Sequence, residues 1–160
     1  MKARKSWMVA ASLAQVLGVS IAMAQETRPA AQDDPKAEVT ALVDKAAALV
    51  AEKGEAAFPE LRKKGSEWTQ GEMYVFVDRM DGMAMVHPTL EGQNAADIKD
   101  SDGTPIWPLM LKAVESSDSG WAEYMWPKPG RKDSSKKTSY LRKVKVGETT
   151  YIVGAGVFLD

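Results

Sequence analysis

His87 is the residue best suited to polar chemistry, and it is the only histidine in the chain. With no second histidine and no cysteine, it cannot build the common histidine or thiolate metal sites, so we expect no metal and no cofactor. A single imidazole can instead donate a hydrogen bond to an anionic ligand, as a cation if it is protonated. The alternative is a side chain at the end of a strand that bonds the adjacent backbone.

Two further candidates, Tyr124 and Trp126, are two positions apart in a segment typical of a strand, so they point to the same face. Each offers a flat apolar surface with one polar group, which suits the body of a small organic acid. The other interpretation is that both rings belong to the core. Trp121 has the opposite parity and is expected on the other face.

Lys137 and Tyr140 belong to the next predicted strand. Lys137 could pair with a carboxylate as a point charge, and Tyr140 could donate its hydroxyl to the same ligand. The alternative for Lys137 is solvation, because Lys132, Lys136 and Lys143 lie around it. Residues three apart on a regular strand face opposite ways, so either a bulge redirects one of them or only one lines a pocket.

The last two candidates are Tyr74 and Trp107. Tyr74 shares one face of an earlier predicted strand with Phe76 and Asp78. We expect Phe76 in the core and assign Asp78 a role in the following turn. Trp107 lies on a short predicted helix, where it either closes over a pocket or anchors the helix to the sheet.

Composition and motifs argue against several classes of function. The chain has no nucleophile elbow, no phosphate-binding glycine loop and no paired histidine motif, and Ser139 has no evident base, so we expect no enzyme. The near balance of 21 basic and 22 acidic residues argues against a nucleic-acid binder.

The first 24 residues are typical of a secretory signal peptide. A basic start precedes an uncharged apolar run over residues 7–21, and small residues follow at Ala22 and Ala24, which predicts cleavage between Ala24 and Gln25. The apolar run has about fifteen residues, fewer than the roughly twenty that span a bilayer, so an uncleaved anchor is less favoured. We therefore expect a periplasmic or secreted protein without stable membrane insertion.

The remaining chain predicts a flexible leader over residues 25–35 and one α+β domain over residues 36–160. Apolar residues at three- and four-residue steps predict a long helix that ends at Gly54. The other predicted elements are a short helix over 55–64, strands over 73–77 and 83–86 joined by Asp81-Gly82, a helix from Thr104-Pro105 to Ser116, and strands over 120–126, 137–146 and 150–158. This order indicates an antiparallel sheet of about five strands with helices mostly on one side.

Ordered fragments of the chain resemble the single Cache domain, the extracytoplasmic ligand-sensing relative of the PAS fold. The fragments are residues 50–56, Tyr74-Val75-Phe76-Val77-Asp78, Asp81-Gly82, His87-Pro88, Gly92-Gln93-Asn94, residues 100–103, residues 120–127, Lys137-Thr138-Ser139-Tyr140 and residues 153–158. The resemblance implies a PAS-like sheet with a small-molecule pocket between the sheet and the loops that cover it. It also implies a ligand such as a short carboxylate, since relatives often bind acetate, pyruvate or lactate and usually sit in chemoreceptors or histidine kinases.

The resulting hypothesis is a periplasmic domain that binds or senses a small organic acid and has no output module of its own. Its output would then need a membrane receptor or kinase partner. The alternative is a secreted interaction protein that keeps the Cache fold but binds a partner protein rather than a ligand. Convergence of His87, Tyr124, Trp126 and Lys137 on one cavity would favour the first hypothesis.

Overall fold

The computed structural model describes residues 34–159. The predicted signal peptide and almost all of the predicted leader lie outside these residues. Within residues 34–159, no helix combines the length and apolar character needed to cross a membrane.

The long predicted helix is present as α1, Pro35–Lys53. The Asp34 carboxylate accepts a hydrogen bond from the Lys36 N–H at 2.9 Å, and the helix ends at Gly54, whose φ of 57° suits glycine. One stripe of α1 is buried against the sheet: Val39, Val43, Ala46, Ala47 and Val50.

The short helix predicted over residues 55–64 is shorter in the structure. The segment forms one 3-10 turn, Gly54–Ala57, and then α2, Phe58–Leu61. Pro59 has no N–H and is accommodated only in the first turn of α2, so the segment does not form one continuous helix.

In the described part of the chain, residues 34–159, the sheet has six strands, one more than predicted. They are β1 (Thr69–Gln70), β2 (Met73–Arg79), β3 (Ala84–Val86), β4 (Ser119–Pro127), β5 (Ser134–Val146) and β6 (Thr149–Phe158). The order is β1-β2-β6-β5-β4, and β3 also pairs with β2, at Val77 and Asp78 rather than at the residues that pair with β1. Every pairing is antiparallel. The antiparallel α+β class is therefore confirmed, and the additional strand is the two-residue β1.

The third helix, α3, spans Ile106–Ala113 and differs at both ends from the prediction. Pro105, rather than Thr104, is the N-cap, because its φ of −64° and ψ of 122° are extended rather than helical. The helix ends before Val114 instead of reaching Ser116.

The two faces of the sheet carry separate cores. The helix face, which includes Val75, Val77 and Trp121, packs against α1. The cavity face, which includes Tyr74, Phe76 and Tyr124, packs against α3 and the residues around it. Most of the helical residues, those of α1 and α2, pack on the helix face as expected, and α3 is the exception on the opposite face. The expected position of Trp121 is confirmed.

Candidate ligand-binding site

A cavity lies between the cavity face of the sheet, α3 and the segment of residues 87–105 that joins β3 to α3, here called the cover segment. Its empty space is about 340 Å³, a volume that includes solvent at the open mouth. It is lined by six apolar residues and four with polar groups: Phe76, Leu90, Ala95, Ile98, Ile106, Met110, Asp78, His87, Tyr124 and Trp126. Such a lining can hold a short apolar chain and orient one polar end.

His87 follows the last residue of β3, and its ring is oriented by the backbone of the cover segment. Its Nδ1 accepts hydrogen bonds from the N–H groups of Thr89 at 3.1 Å and Leu90 at 3.0 Å. Burial and the nearby charge of Lys137 lower the pKa of His87 to about 3, so the ring is neutral near pH 7. A neutral ring that accepts at Nδ1 carries its proton on Nε2, and His87 therefore offers one N–H donor rather than a cation.

Tyr124 and Trp126 both line the cavity from β4, as their shared parity predicts. The Tyr124 hydroxyl makes a 2.8 Å hydrogen bond with Oγ of Ser139, which lies on β5. Burial raises the pKa of Tyr124, so the group remains a neutral hydroxyl. The Trp126 ring packs edge-to-face on Tyr124 and on His87, with centroid distances of 6.0 Å and 5.9 Å.

Lys137 is 1% exposed and lies opposite Tyr124 in the pairing of β4 with β5. Its Nζ is 3.9 Å from the centre of the Tyr74 ring and 5.5 Å from that of Phe158. Among residues 34–159 this ammonium group has no ion-pair or hydrogen-bond partner, and burial lowers its pKa to about 7. The solvated alternative for Lys137 is therefore wrong, although the side chain lies beside the cavity rather than in its lining.

Tyr74 also lies next to the cavity, and two other predicted residues do not line it. Tyr74 contacts His87 edge-to-face at 5.3 Å and Lys137 from the ring face. Tyr140 lies on the helix face and packs against Trp121 with ring centres 5.3 Å apart, because β5 pairs with β4 without a bulge. Trp107 is buried in the core of the cavity face, where it anchors α3 without lining the cavity.

Sequence reasoning missed Asp78 as a residue of the lining; Phe76 lies in the core as expected and also lines the cavity. Asp78 is 3% exposed within β2, where we had expected a turn residue, and burial raises its pKa to about 7. The turn role belongs to Asp81, which accepts the Met83 N–H at 3.2 Å. The two-residue spacing of Tyr74, Phe76 and Asp78 was the signal that could have placed Asp78 in the site.

The cover segment is attached at both ends of the cavity. Near β3, the Ala84 N–H donates to the Gln93 carbonyl and the Gly92 N–H donates to the Ala84 carbonyl. Over β4, the Asp100 carboxylate accepts the Met125 N–H at 3.2 Å, while its other oxygen accepts the Thr104 N–H at 2.8 Å. Asp100 therefore ties the far part of the cover segment to the strand that carries Tyr124.

A wider groove lies outside the cavity, between the loop after β4 and the start of the cover segment. Trp126 borders both spaces, and the groove also contains Lys64, Lys128 and Arg131. Lys128 forms an ion pair with Glu72 at 3.4 Å. Within residues 34–159, no group of three or more acidic, histidine or cysteine side chains is arranged to hold a metal ion.

Comparisons with known proteins find chemoreceptor domains. The sequence profile of the Cache domain matches residues 40–160. A solved Cache chemosensory domain, described for its carboxylic acid recognition, is 27% identical with a TM-score of 0.64, over 77% of this chain and 92% of that one. The periplasmic sensor domain of a chemotaxis protein is 26% identical with a TM-score of 0.58, over 78% of this chain and 90% of that one.

A curated relative is methyl-accepting chemotaxis protein McpP of Pseudomonas putida. It is 31% identical over 90 residues, which are 54% of this chain. The match spans only 16% of that receptor's length.

Proposed function

The chain belongs to the Cache domain family, and from this premise we propose that it is an extracytoplasmic sensor domain whose cavity binds a short monocarboxylic acid. The observation that carries the proposal is the convergence of His87, Tyr124 and Trp126 on one apolar-lined cavity, with the buried ammonium group of Lys137 beside it. This convergence supports ligand binding over the alternative of a pure interaction protein.

The chemistry of the site supports an anionic ligand. Neutral His87 presents an N–H donor and Tyr124 a hydroxyl, and both are suited to carboxylate oxygens. Lys137 supplies a positive charge that lacks a partner within residues 34–159, and a buried charge gains stability when an opposite charge comes near. The groove with Lys64 and Arg131 at its wall would favour the approach of an anion.

The apolar part of the lining supports a ligand with a short alkyl group. Apolar side chains from the cover segment and α3, Ile98, Ile106 and Met110 among them, line the part of the space that an alkyl group would occupy. The similar Cache chemosensory domain is described for carboxylic acid recognition, which supports the same ligand class here. We therefore propose an acid of two to four carbons.

The location of the protein and the route of its signal are also part of the proposal. The periplasmic location of a similar sensor domain supports an exported protein, in line with the signal peptide expected at residues 1–24. The relatives are chemoreceptor domains rather than enzymes, so we propose that the ligand is bound without conversion and that a membrane receptor or kinase partner transmits the signal.

A matched pair of tyrosine variants tests the binding site. In calorimetric titrations with acetate, propionate, pyruvate and lactate, Tyr124→Phe removes a cavity hydroxyl, whereas Tyr140→Phe removes one from the helix face. A lost hydrogen bond to a charged group is worth about 1.5–3 kcal/mol, so we expect Tyr124→Phe to weaken binding by roughly 10–100-fold. Tyr140→Phe should bind like the unaltered protein, and equal losses in both variants would contradict the site.

A further inference from the structure

Asp78 is a buried carboxyl group that the binding scheme above leaves without a role. It lines the cavity from β2, is 3% exposed, and within residues 34–159 has no hydrogen-bond or ion-pair partner. Buried carboxylates are normally paired or hydrogen-bonded, because an isolated negative charge loses its hydration. The position of Asp78 inside a cavity for an anion therefore needs an explanation.

No cation among residues 34–159 forms an ion pair with Asp78. Its backbone neighbours across the sheet are Ala84 on β3 and Ile152 on β6, and α3 faces the cavity with Ile106 and Met110. The buried titratable groups near it on the sheet and β3 are Tyr74, Tyr124, His87 and Lys137, whereas those of the cover segment and α3, such as Asp97, Asp100 and Lys112, are not buried. His87 is neutral, both tyrosines stay protonated, and the Lys137 ammonium group forms no ion pair with Asp78.

We propose that Asp78 determines the specificity of this cavity by holding one proton jointly with the bound carboxylate, so that the domain takes up a short acid as the carboxylate plus one proton. The inference rests on the proposed function and adds the rule by which the site selects its ligand. Two carboxyl groups in one desolvated space do not both ionise, and a proton between them forms a short charge-assisted hydrogen bond.

The charge balance of this step is simple. At Asp78, one carboxylate anion and one proton from solvent enter, and the proton forms an O–H bond on one of the two carboxyl groups. Near pH 8, Lys137, whose pKa is also about 7, takes up a proton of its own as the anion approaches, in the unaltered protein and in an Asp78 variant alike. Burial has already raised the pKa of Asp78 to about 7, so the proton is available near neutral pH. A dicarboxylate would bring a second negative charge that this single proton leaves uncompensated, and the cavity therefore favours monocarboxylic acids.

Proton counting by calorimetry tests the proposal with sodium propionate as the probe. Titrations near pH 8 in phosphate and in Tris, which differ in ionisation enthalpy, give the number of protons taken up per ligand. Asp78→Asn keeps the size and a hydrogen-bond donor but cannot titrate, so we expect it to take up about one proton fewer than the unaltered protein. It should also bind malonate several-fold better relative to propionate.

Asp97→Asn is the matched control, because Asp97 is an exposed carboxylate of the cover segment. It should leave the proton count unchanged. Asp78→Thr is a second uncharged variant, to be used if the circular dichroism of Asp78→Asn shows that it does not fold.

The outcomes separate this inference from the proposed function. Propionate binding with the same proton count in the unaltered protein and in Asp78→Asn would overturn the shared proton while leaving the binding site intact. Failure of the unaltered protein to bind any of the four acids at any pH would overturn both.

Discussion

At the scale of single residues, the site consists of polar side chains in or beside one cavity, each with a hydrogen-bonding group or a charge available to a ligand. His87 uses Nδ1 on the backbone and keeps its Nε2 proton for another acceptor. Tyr124 is oriented by Ser139, and Lys137 is covered by the Tyr74 ring without an acceptor within residues 34–159. Each unsatisfied buried group costs stability in the empty protein, and a carboxylate ligand would recover that cost.

Lys137 makes the stability of the empty protein depend on pH. Its pKa is about 7 when folded and 10.5 as the ordinary value, so between these pH values the unfolded chain binds more protons. The free energy of unfolding should therefore rise with pH above about 7, by a few kcal/mol in total. In melts from about pH 7 to 9.5, where tyrosines of ordinary pKa are still mostly protonated, we expect Tm to rise by several degrees.

Two lysine variants check this assignment. Lys137→Met should melt higher than the unaltered protein at pH 7 and show little rise towards pH 9.5. Lys136→Met, which removes an exposed lysine paired with Glu123, should keep the rise. A flat profile in the unaltered protein would mean that the Lys137 ammonium group is not held in a desolvated site.

The odd or even position of a residue along a strand predicts which face of the sheet it occupies. It does not predict how far the side chain is buried or whether it lines the cavity. The faces predicted for Tyr124, Trp126 and Trp121 are therefore correct. By the same rule, Tyr140 and Lys137, three positions apart, cannot both face the cavity from a regular strand. Asp78 was missed because an aspartate three positions before Asp81-Gly82 fits a turn as well as a strand. Only the pairing of β2 with both β3 and β6 extends the strand through Asp78.

At the scale of elements, the strands and α1 follow from local pattern, whereas their arrangement does not. The apolar stripe of α1 and the dense β-branched run of β2 are local signals, and the structure reproduces both within a few residues. The two-residue β1 has no alternation to detect, and the position of α3 depends on long-range packing. The sequence pattern therefore predicted the elements but not that α3 covers the cavity face.

The fit between β2 and β6 depends on Gly154, which lies opposite Phe76. A Cβ at this position would lie 2.7 Å from Cδ2 of Leu141 and closer still to the Phe76 ring, which lines the cavity. Gly154→Ala should therefore push Phe76 towards the cavity, lower stability by about 1–3 kcal/mol and weaken propionate binding. Urea unfolding and calorimetry measure the two effects.

The rescue experiment for Gly154→Ala uses the residue that it displaces. Phe76→Leu shortens the side chain, so the double variant should recover part of the stability that Gly154→Ala loses, giving a coupling energy of about 0.5–3 kcal/mol. Strict additivity of the two changes would show that the new methyl group acts somewhere other than on Phe76.

At the scale of the whole molecule, the sheet separates two hydrophobic cores, one packed against α1 and the other against α3. The helix face is covered by a regular 19-residue helix, whereas the cavity face is covered by the eight-residue α3 and the largely irregular cover segment. A segment held by a few turns and by Asp100 opens locally more readily than a packed helix. In the proposed site, the ligand contacts only the cavity side, so binding should stabilise the two sides differently.

Hydrogen exchange with and without propionate tests this asymmetry. At about a hundredfold excess over Kd, binding stabilises the folded state by about 2.7 kcal/mol, which raises Tm by several degrees and slows every amide that exchanges only through global unfolding. Amides that exchange through local opening should slow only in the cover segment, α3, β2 and β4, because these elements line the cavity. Added protection of locally opening amides in α1 alone would contradict this, because it would place the ligand, and with it the recognition of the acid, on the helix face.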